Sequence, residues 1–569
     1  MTPERNETLP EAMSLLLALA TWPTSDERVD IASRPARSNG RRTAAYVPDD
    51  QAADITLVLP RPVPASPPSR IGRRSGPPVS PILPLPDSLS ARRLLSRGQA
   101  VTMAACLTAV AGLLILRLAT GIGPSPLAWA KWAVAAVTAM YIVVVGFRLL
   151  LVLAAPGAKV IDFTHDDVQA IDDADLPVYT VLVPLYREDK VLRALIDKLS
   201  RLNYPPTRLQ ILLLIEEDDD LTRRALRKMP LAEQFEVVVI PPREPRTKPK
   251  ACNEGLRHAR GEFCVIFDAE DRPEPDQLRK AVAAFRGMPQ WVVCVQAELQ
   301  YWNPWTNWLT RFFAAEYALN FSLVLRGLDR FSLPIPLGGT SNHFRTDALR
   351  QLGGWDPFNV AEDADLGMRI ARRGWAVRMM ASVTEEEANS KVGNWIRQRS
   401  RWIKGYFQTW LVHMRSPWQL WRELGARQFI GLQLTIGFAT LSGLVNPVFW
   451  SLTCLYLVTG PGPIAPFFPP LVLLTGLLTM LIGNLLMIEA MMAGCMARGL
   501  HRALRSMLLV PLYWGLMSLA AYKALLQLLR PSRRHYWELT AHGLVSDHSD
   551  AAQIRPHPVA EPIALAGEQ

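Results

Sequence analysis

The segment EFCVIFDAEDRPEPDQLRKAVAAF, residues 262–285, decides the fold. Its apolar run ends in Asp268, Glu270 and Asp271, and Pro273 and Pro275 then lead into an amphipathic helical pattern. A short apolar run bounded in this way reads as a buried strand followed by a helix. The same alternation occurs in VYTVLVPLY before DKVLRALIDKLSRL, LQILLLI before DLTRRALRKM, FEVVVIPP before KACNEGLRHAR, and finally WVVCVQAEL. Apolar strands covered on both faces predict a doubly wound α/β domain built on a parallel sheet. Open sheets of this kind bind ligands beyond the carboxyl ends of their strands, so the residues after each strand carry the chemistry.

Tyr186, Arg187, Glu188 and Asp189 follow the first strand, EEDDD (216–220) the second, TKPKACN (247–253) the third and DAED (268–271) the fourth. Taken singly, each cluster also fits a helix cap or a solvated turn. Three carboxylates in four residues at the end of a buried strand repel one another, and a divalent cation relieves that repulsion. Asp268 and Glu270 are hard oxygen ligands suited to Mg2+ or Mn2+, which keep water and substrate phosphates in their remaining positions. Asp271 can join them or start the helix near Pro275.

Outside this domain the chain turns apolar. It has 569 residues, 49% of them hydrophobic, and a net charge of +10. Residues 1–98 end in a Pro/Arg/Ser tract that cannot build a core and read as a disordered cytoplasmic tail. VTMAACLTAVAGLLILRLAT (101–120) and WAVAAVTAMYIVVVGFRLLLVLAA (132–155) are each near the roughly 20 residues that cross a bilayer, and predict a transmembrane hairpin within 99–156. Residues 175–425 form the α/β domain, and apolar runs at 429–459, 469–494 and 507–529 place further membrane helices within 426–530. Arginine-rich stretches before 101, at 397–404 and at 497–505 put the α/β domain in the cytoplasm. Three carboxy-terminal crossings would strand the basic RPSRRHYW outside. Either 429–459 is a hairpin broken near Pro447, or 507–529 is re-entrant or interfacial. The acidic amino terminus shows no secretory signal. Six scattered cysteines (106, 252, 264, 294, 454, 495) have no metal or disulfide spacing and read as reduced core residues.

Three further stretches bear on chemistry. FNVAEDADLGMRIARRGW places Glu362 and Asp363 at the start of a helix, where acids are also favoured by the helix dipole. LGGTSNHFR (337–345) combines paired glycines with small polar residues, which suits close backbone approach to a ligand or an ordinary turn. In RQRSRWIKG (397–405), Gln398, Arg401 and Trp402 fall at i, i+3 and i+4 and share a helix face. Arg397, Arg399 and Lys404 are then left for the membrane surface.

The ordered set VPLYRED, PKACN, FDAED, GGTSNHFR, AEDADLG and QRSRW resembles the membrane-embedded family 2 glycosyltransferases, whose members include cellulose, chitin and hyaluronan synthases. The resemblance spans about residues 175–405 and implies a GT-A (Rossmann-like) cytoplasmic catalytic domain flanked by α-helical transmembrane segments. By this resemblance Pro184, Tyr186, Glu188, Glu217 and Lys250 hold the nucleotide, and Asp268 and Glu270 bind the metal-diphosphate. Glu270 stands where the family more often has aspartate. Asp363 is the base that deprotonates the acceptor hydroxyl, and Arg401 stabilises the departing diphosphate. Gly339, Thr340, Ser341, Asn342, Glu362, Gln398 and Trp402 form the acceptor and diphosphate site, with Ala361 where polymer synthases often have threonine. HYWELTAHG (535–543) is similar to a gating loop, through Trp537, Thr540 and His542, on a cytoplasmic carboxy-terminal tail (531–569).

The resemblance therefore implies a multi-pass hexosyltransferase of the inner (plasma) membrane. It would transfer a sugar with inversion from a nucleotide-sugar, UDP-linked, to a growing polysaccharide that the membrane helices could secrete, with Asn484 and Glu489 on the sugar path. Its partners are the donor, a glycan or lipid acceptor and the bilayer; nucleic acid is not among them. The alternatives are single-sugar transfer to a lipid, and a surface adsorption or uptake component that keeps the fold without the reaction.

Overall fold

Helices α1 (Arg97–Thr120) and α2 (Pro126–Ala154) form an apolar pair whose ends are written in the sequence. Ser96 and Gln99 make a reciprocal capping box at the start of α1, and Gly121, at φ 73°, ends it in the left-handed conformation that a side chain resists. Ser125 caps α2 and Pro126 occupies its first turn, where no amide hydrogen is needed. At 24 residues α1 is about 36 Å long, enough for a hydrocarbon layer of about 30 Å. Leu107 and Leu118 on α1 are exposed, as side chains facing lipid would be. In the computed structural model, residues 80–540 apart from 461 and 463 are described.

The α/β domain follows. Its strands are β1 (Tyr179–Leu185), β2 (Leu209–Glu216), β3 (Phe235–Ile240), β4 (Phe263–Ile266), β5 (Arg272–Pro273), β6 (Val292–Tyr301), β7 (Asn342–Arg345) and β8 (Ala376–Glu386). They lie in the order β3-β2-β1-β4-β7-β6-β8-β5. β1, β2, β3 and β4 pair in parallel, as do β6 and β8. The expected all-parallel sheet is corrected by β7, which runs antiparallel between β4 and β6, and by β5, antiparallel to β8. GGTSNHFR reads as a turn in sequence because only four of its residues pair, and their partners are distant along the chain.

Alternate strand residues serve two cores. Tyr179, Val181 and Val183 meet helices α3 (Leu192–Ser200) and α6 (Gln277–Gly287) on one face. Leu182, Leu212 and Leu214 meet α5 (Lys248–His258) on the other, and the same core extends through α7 (Trp308–Leu319) to the apolar helices. The short α4 (Asp220–Leu226) follows β2 and is capped by Asp219, whose side chain accepts from the Thr222 amide. After α7 the chain makes a π turn, Asn320–Val324, and enters α8 (Leu325–Arg330). α9 (Glu362–Arg372) and α10 (Val392–His413) complete the domain.

α11 (Pro417–Leu432) continues through a π turn into α12 (Ala439–Thr459). Pro447 lies inside α12, so the hairpin expected near that proline does not form. α13 (Pro470–Leu478) and α14 (Asn484–Ala497), joined by another π turn, lead back to the domain, where Arg498 reaches Glu298 and Gln300. α15 (Val510–Leu529) runs along α10 instead of away from the domain. Its Tyr513 hydroxyl donates to Glu316 at 2.6 Å, and its Gln527 accepts from the Lys404 ammonium at 3.0 Å. Both ends of α15 therefore rest against the α/β domain.

The end of the leader also corrects an expectation. Residues 1–79 lie outside the described residues, but 80–98 are no free tail: Ala91 and Leu94 are buried, and Asp356 accepts from the Ser90 hydroxyl and the Ala91 amide at 3.0 and 2.5 Å. Arg415 donates to the carbonyls of Asp87, Ser88 and Ser90. Backbone hydrogen bonding supplies here what an apolar core would supply elsewhere. Cys252, Cys264, Cys294 and Cys495 are buried and unpaired, and Cys106 and Cys454 lie exposed on apolar helices.

Candidate active site

The carboxyl ends of the strands bring the expected acids together. Asp268 follows β4, and its backbone amide donates to Asp271 at 2.7 Å. Burial, and then the nearby Asp268 and Glu270, push the Asp271 carboxyl well above the usual range. Asp271 is also held by the Thr340 hydroxyl, while its Oδ1 is buried without a hydrogen-bond partner. Glu386, at the end of β8, is raised by burial and then by the same three carboxylates. Asp268, Glu270, Asp271 and Glu386 thus act on one another electrostatically near the ends of β4 and β8.

Lys248 bridges this cluster to the next. Its ammonium lies 2.5 Å from Asp268 Oδ1 and donates to the Gly339 carbonyl at 2.7 Å. Burial works against its charge, but Asp268 and Glu362 outweigh burial and keep it protonated. Lys250, expected to hold the nucleotide, pairs with Glu216 at 3.1 Å and donates to the Pro241 carbonyl at 2.8 Å. Two residues apart on a helix, the two lysines point about 200° apart, and only Lys248 faces the acids. At the end of β2, Glu216 is buried against Lys250, and Glu217, expected in the nucleotide pocket, is exposed. Tyr186 and Glu188 occupy the turn just after β1, and Pro184 lies within β1 beside β2.

Glu362 and Asp363 start α9 beneath this cluster. Burial, then Asp363, push the Glu362 carboxyl up to about 8. Burial also raises Asp363, against the Ala364 amide, Lys248 and Arg401, which favour its charge. Asp363 Oδ1 accepts from the Ala364 amide at 2.7 Å, and a Cβ added at Gly339 would stand 3.5 Å from Oδ2. Gly339 therefore keeps the space before the carboxylate open.

Arg401 of α10 feels Glu362, Asp363 and Asp268, and its buried Nε has no hydrogen-bond partner. Trp537 lies 4.4 Å beneath its guanidinium. The segment carrying Trp537 is fastened to α10 by Lys404, fully buried, which donates to the carbonyls of Arg533 and Tyr536 at 3.1 and 2.9 Å. Trp402 completes an aromatic wall with Tyr317 and Phe313, at centroid distances of 6.3 and 6.1 Å.

Several expected ligands have internal duties instead. Ser341 donates to Thr384 at 2.7 Å, Asn342 to the Gly338 carbonyl at 2.5 Å, and Gln398 accepts from Asn389 at 2.7 Å. With Thr340 on Asp271, these residues hold the loops that shape the site, and of them Asn342 enters the sheet in β7. Arg399 and Lys404 are not surface charges: Arg399 is buried and forks onto both oxygens of Glu316. Arg397 alone of that trio is exposed. Thr540 ends the described residues, and His542 lies outside them. Glu386, Lys248 and Glu316 were missed in sequence. A signal existed only for Lys248, at the first position of a helix that follows a strand.

A cavity of about 500 Å3 opens at Asp363 and Gly339, passes Trp402 and Tyr317, and continues among the apolar helices to Tyr141, Asn446 and Asn484. Glu489, expected on the same path, is exposed elsewhere on α14. As for a metal, among the described residues no group of three or more His, Cys, Asp or Glu side chains could hold one by itself. The raised carboxyls of Asp271 and Glu386 beside Asp268 and Glu270, and the unpartnered Asp271 oxygen, nevertheless fit a divalent cation whose other ligands come from a diphosphate.

Two predictions arise here. Gly405 of α10 lies so close to α9 that an added Cβ would overlap the nitrogen and Cβ of Ala361. Gly405→Ala should destabilise the chain by about 1–3 kcal/mol, as overpacking does, and lower activity by moving Arg401 from Asp363; thermal unfolding and transfer assays would show both. For Glu362, the folded chain keeps its proton up to about pH 8, whereas an unfolded chain releases it near 4.5. The folded state binds more protons across that window, so stability falls as pH rises through it. Unfolding temperatures should drop with pH more for wild type than for Glu362→Gln.

A mixed sheet of this order with acids at its strand ends defines a GT-A domain, and residues 177–405 match the family described as Glycosyltransferase like family 2. The chain carries a family 2 glycosyltransferase domain. Among curated proteins it is similar to the Probable glucomannan 4-beta-mannosyltransferase 10 of Arabidopsis thaliana, 30% identical over 241 residues, covering 40% of this chain and 43% of the relative. It is also similar to the Beta-monoglucosyldiacylglycerol synthase of Synechocystis sp. (strain ATCC 27184 / PCC 6803 / Kazusa), 24% identical over 331 residues, covering 56% and 65%. The chain spans about half the length of the curated relatives it matches. Among solved structures, the mannosyltransferase PcManGT from Pyrobaculum calidifontis, in complex with GDP-Man and Mn2+, aligns at TM-score 0.35 and 20% identity, covering 61% of this chain and 99% of that one.

Proposed function

We propose that this chain is an integral-membrane, inverting β-glycosyltransferase that moves a hexose from a nucleotide-sugar, UDP-linked, to a hydroxyl presented from the cavity. The observation that carries the reading is the meeting of Asp363, Arg401, Lys248 and Asp268 in one buried field at the mouth of a cavity that enters the apolar helices. Tyr186 and Glu188 lie where a nucleoside would reach the sheet edge, and Lys248 and Arg401 neutralise its diphosphate. Asp363 takes the proton of the acceptor hydroxyl as its oxygen attacks the anomeric carbon from the face opposite the leaving diphosphate. Configuration therefore inverts. Asp268 and Glu270 would hold Mg2+ or Mn2+, which supplies further positive charge at the diphosphate.

The polysaccharide reading rests on the continuity of the cavity from Asp363 into the membrane helices, and accords with the glucomannan transferase relative. Transfer of a single sugar to a lipid is the second reading, favoured by the apolar wall deeper in the cavity and by the glucosyldiacylglycerol synthase relative. Purified protein in lipid, given individual UDP- and GDP-sugars with Mg2+ or Mn2+, should release nucleotide diphosphate, and chelation should stop it. Product sizing separates the readings: a polymer supports the first and one glycolipid the second.

Among the described residues, five helical spans are long and apolar enough to cross a membrane. Because both ends of α15 stay against the α/β domain, we assign crossings to the other four spans, Arg97–Thr120, Pro126–Gly157, Pro417–Thr459 and Pro470–Ala497. This even number leaves the catalytic domain and residues 530–540 on one side, the cytoplasmic face by the arginine distribution. Protease protection in sealed vesicles should find both on the same side.

A further inference from the structure

Arg148 lies within the last two turns of α2. Thr138, Tyr141, Val144, Arg148 and Leu151 recur at three- and four-residue spacing and form the inward stripe of that helix. All of them line the cavity; Thr138, Val144 and Leu151 are buried there, whereas Arg148 is exposed. A guanidinium among apolar helices is costly unless it is paired or lines a wet path to which it contributes function. Among the described residues it makes no hydrogen bond or close ion pair, and only Glu316 and Tyr406 act on its charge, through space. Glu316, the carboxylate on the same wall, is already engaged by both terminal nitrogens of Arg399 and by the Tyr513 hydroxyl.

The cavity also changes character along its length. Asp363 and Gly339 stand at one end, and Leu477, Met480 and Met487 line it among the apolar helices. A neutral glycan or a neutral diglyceride would leave Arg148 with only the carboxylate of Glu316, which Arg399 and Tyr513 already hold. We propose that Arg148 binds the phosphate of an amphiphilic acceptor, whose attacking hydroxyl reaches Asp363 and whose alkyl chain lies along the segment Pro470–Ala497. This deepens the lipid-acceptor reading given above and rests on it. The acceptor class is then a phospholipid-like molecule in which a phosphate separates a hydroxylated head group from hydrocarbon.

The test uses the purified full chain in a neutral glycoside detergent, titrated with dodecyl phosphate, inorganic phosphate and dodecanol, with tryptophan fluorescence as readout because Trp402 and Trp450 line the cavity. Dodecyl phosphate should bind at least about ten-fold more tightly than either fragment, as expected for a guanidinium–phosphate contact combined with chain burial. Arg148→Gln should lose that preference, and Arg148→Lys should restore part of it. Equal binding of dodecyl phosphate and dodecanol, or of dodecyl phosphate and inorganic phosphate, overturns the proposal on wild-type protein alone, whatever the variants' folding. Unchanged dodecyl phosphate affinity in a folded Arg148→Gln chain overturns it as well. UDP binding, measured in parallel on wild type, tests the transferase reading separately.

Discussion

Asp363→Asn is expected to lower the transfer rate by about 10²–10⁴-fold, the range that a positioned general base contributes. Asparagine preserves the size of the side chain and can keep the Ala364 amide contact, so the start of α9 should stay in place. What it loses is the ability to accept the acceptor's proton. Nucleotide diphosphate binding should survive, because Lys248 and Asp268 are untouched. Loss of UDP binding in a folded Asp363→Asn protein would show that this carboxylate supports the donor and not the acceptor. The acidic limb of the pH–rate profile should report the same group: burial raises its pKa, so activity falls as the carboxylate is protonated on acidification.

Arg401→Ala should cost about 10²–10³-fold in kcat, comparable to removing one donor that stabilises developing negative charge in an enclosed site. Its guanidinium lies over Trp537 and among Glu362, Asp363 and Asp268, positioned to meet the departing diphosphate. Lysine is no substitute at a stacked position that calls for a planar fork, so Arg401→Lys should recover little. Steady-state kinetics with purified enzyme would read both variants. A large rise in KM with unchanged kcat would instead make Arg401 a ground-state donor contact. Removing Trp537 should act in the same direction more weakly, by freeing the guanidinium from its aromatic support.

By itself the sequence determined the strand–helix alternation, the apolar segments and the grouping of acids at strand ends. These features are local: period-two and period-3.6 patterns, capping residues such as Ser96 and Ser125, and runs near membrane length depend on neighbours along the chain. Asp268 was legible at its strand end, whereas Glu362, Asp363 and Arg401 were picked out by ordered motifs that resemble family 2 glycosyltransferases. Tertiary structure alone decided which lysine faces the acids, since Lys248 and Lys250 have the same chemistry and differ only in direction. It also decided that Glu386 joins the cluster, that β7 takes Asn342 into the sheet, and that α15 lies along α10. In each case the deciding partner is remote in sequence, as Lys404 and Gln527 are. Periodicity tells which way a side chain points from its own element; only the packed fold tells what stands opposite.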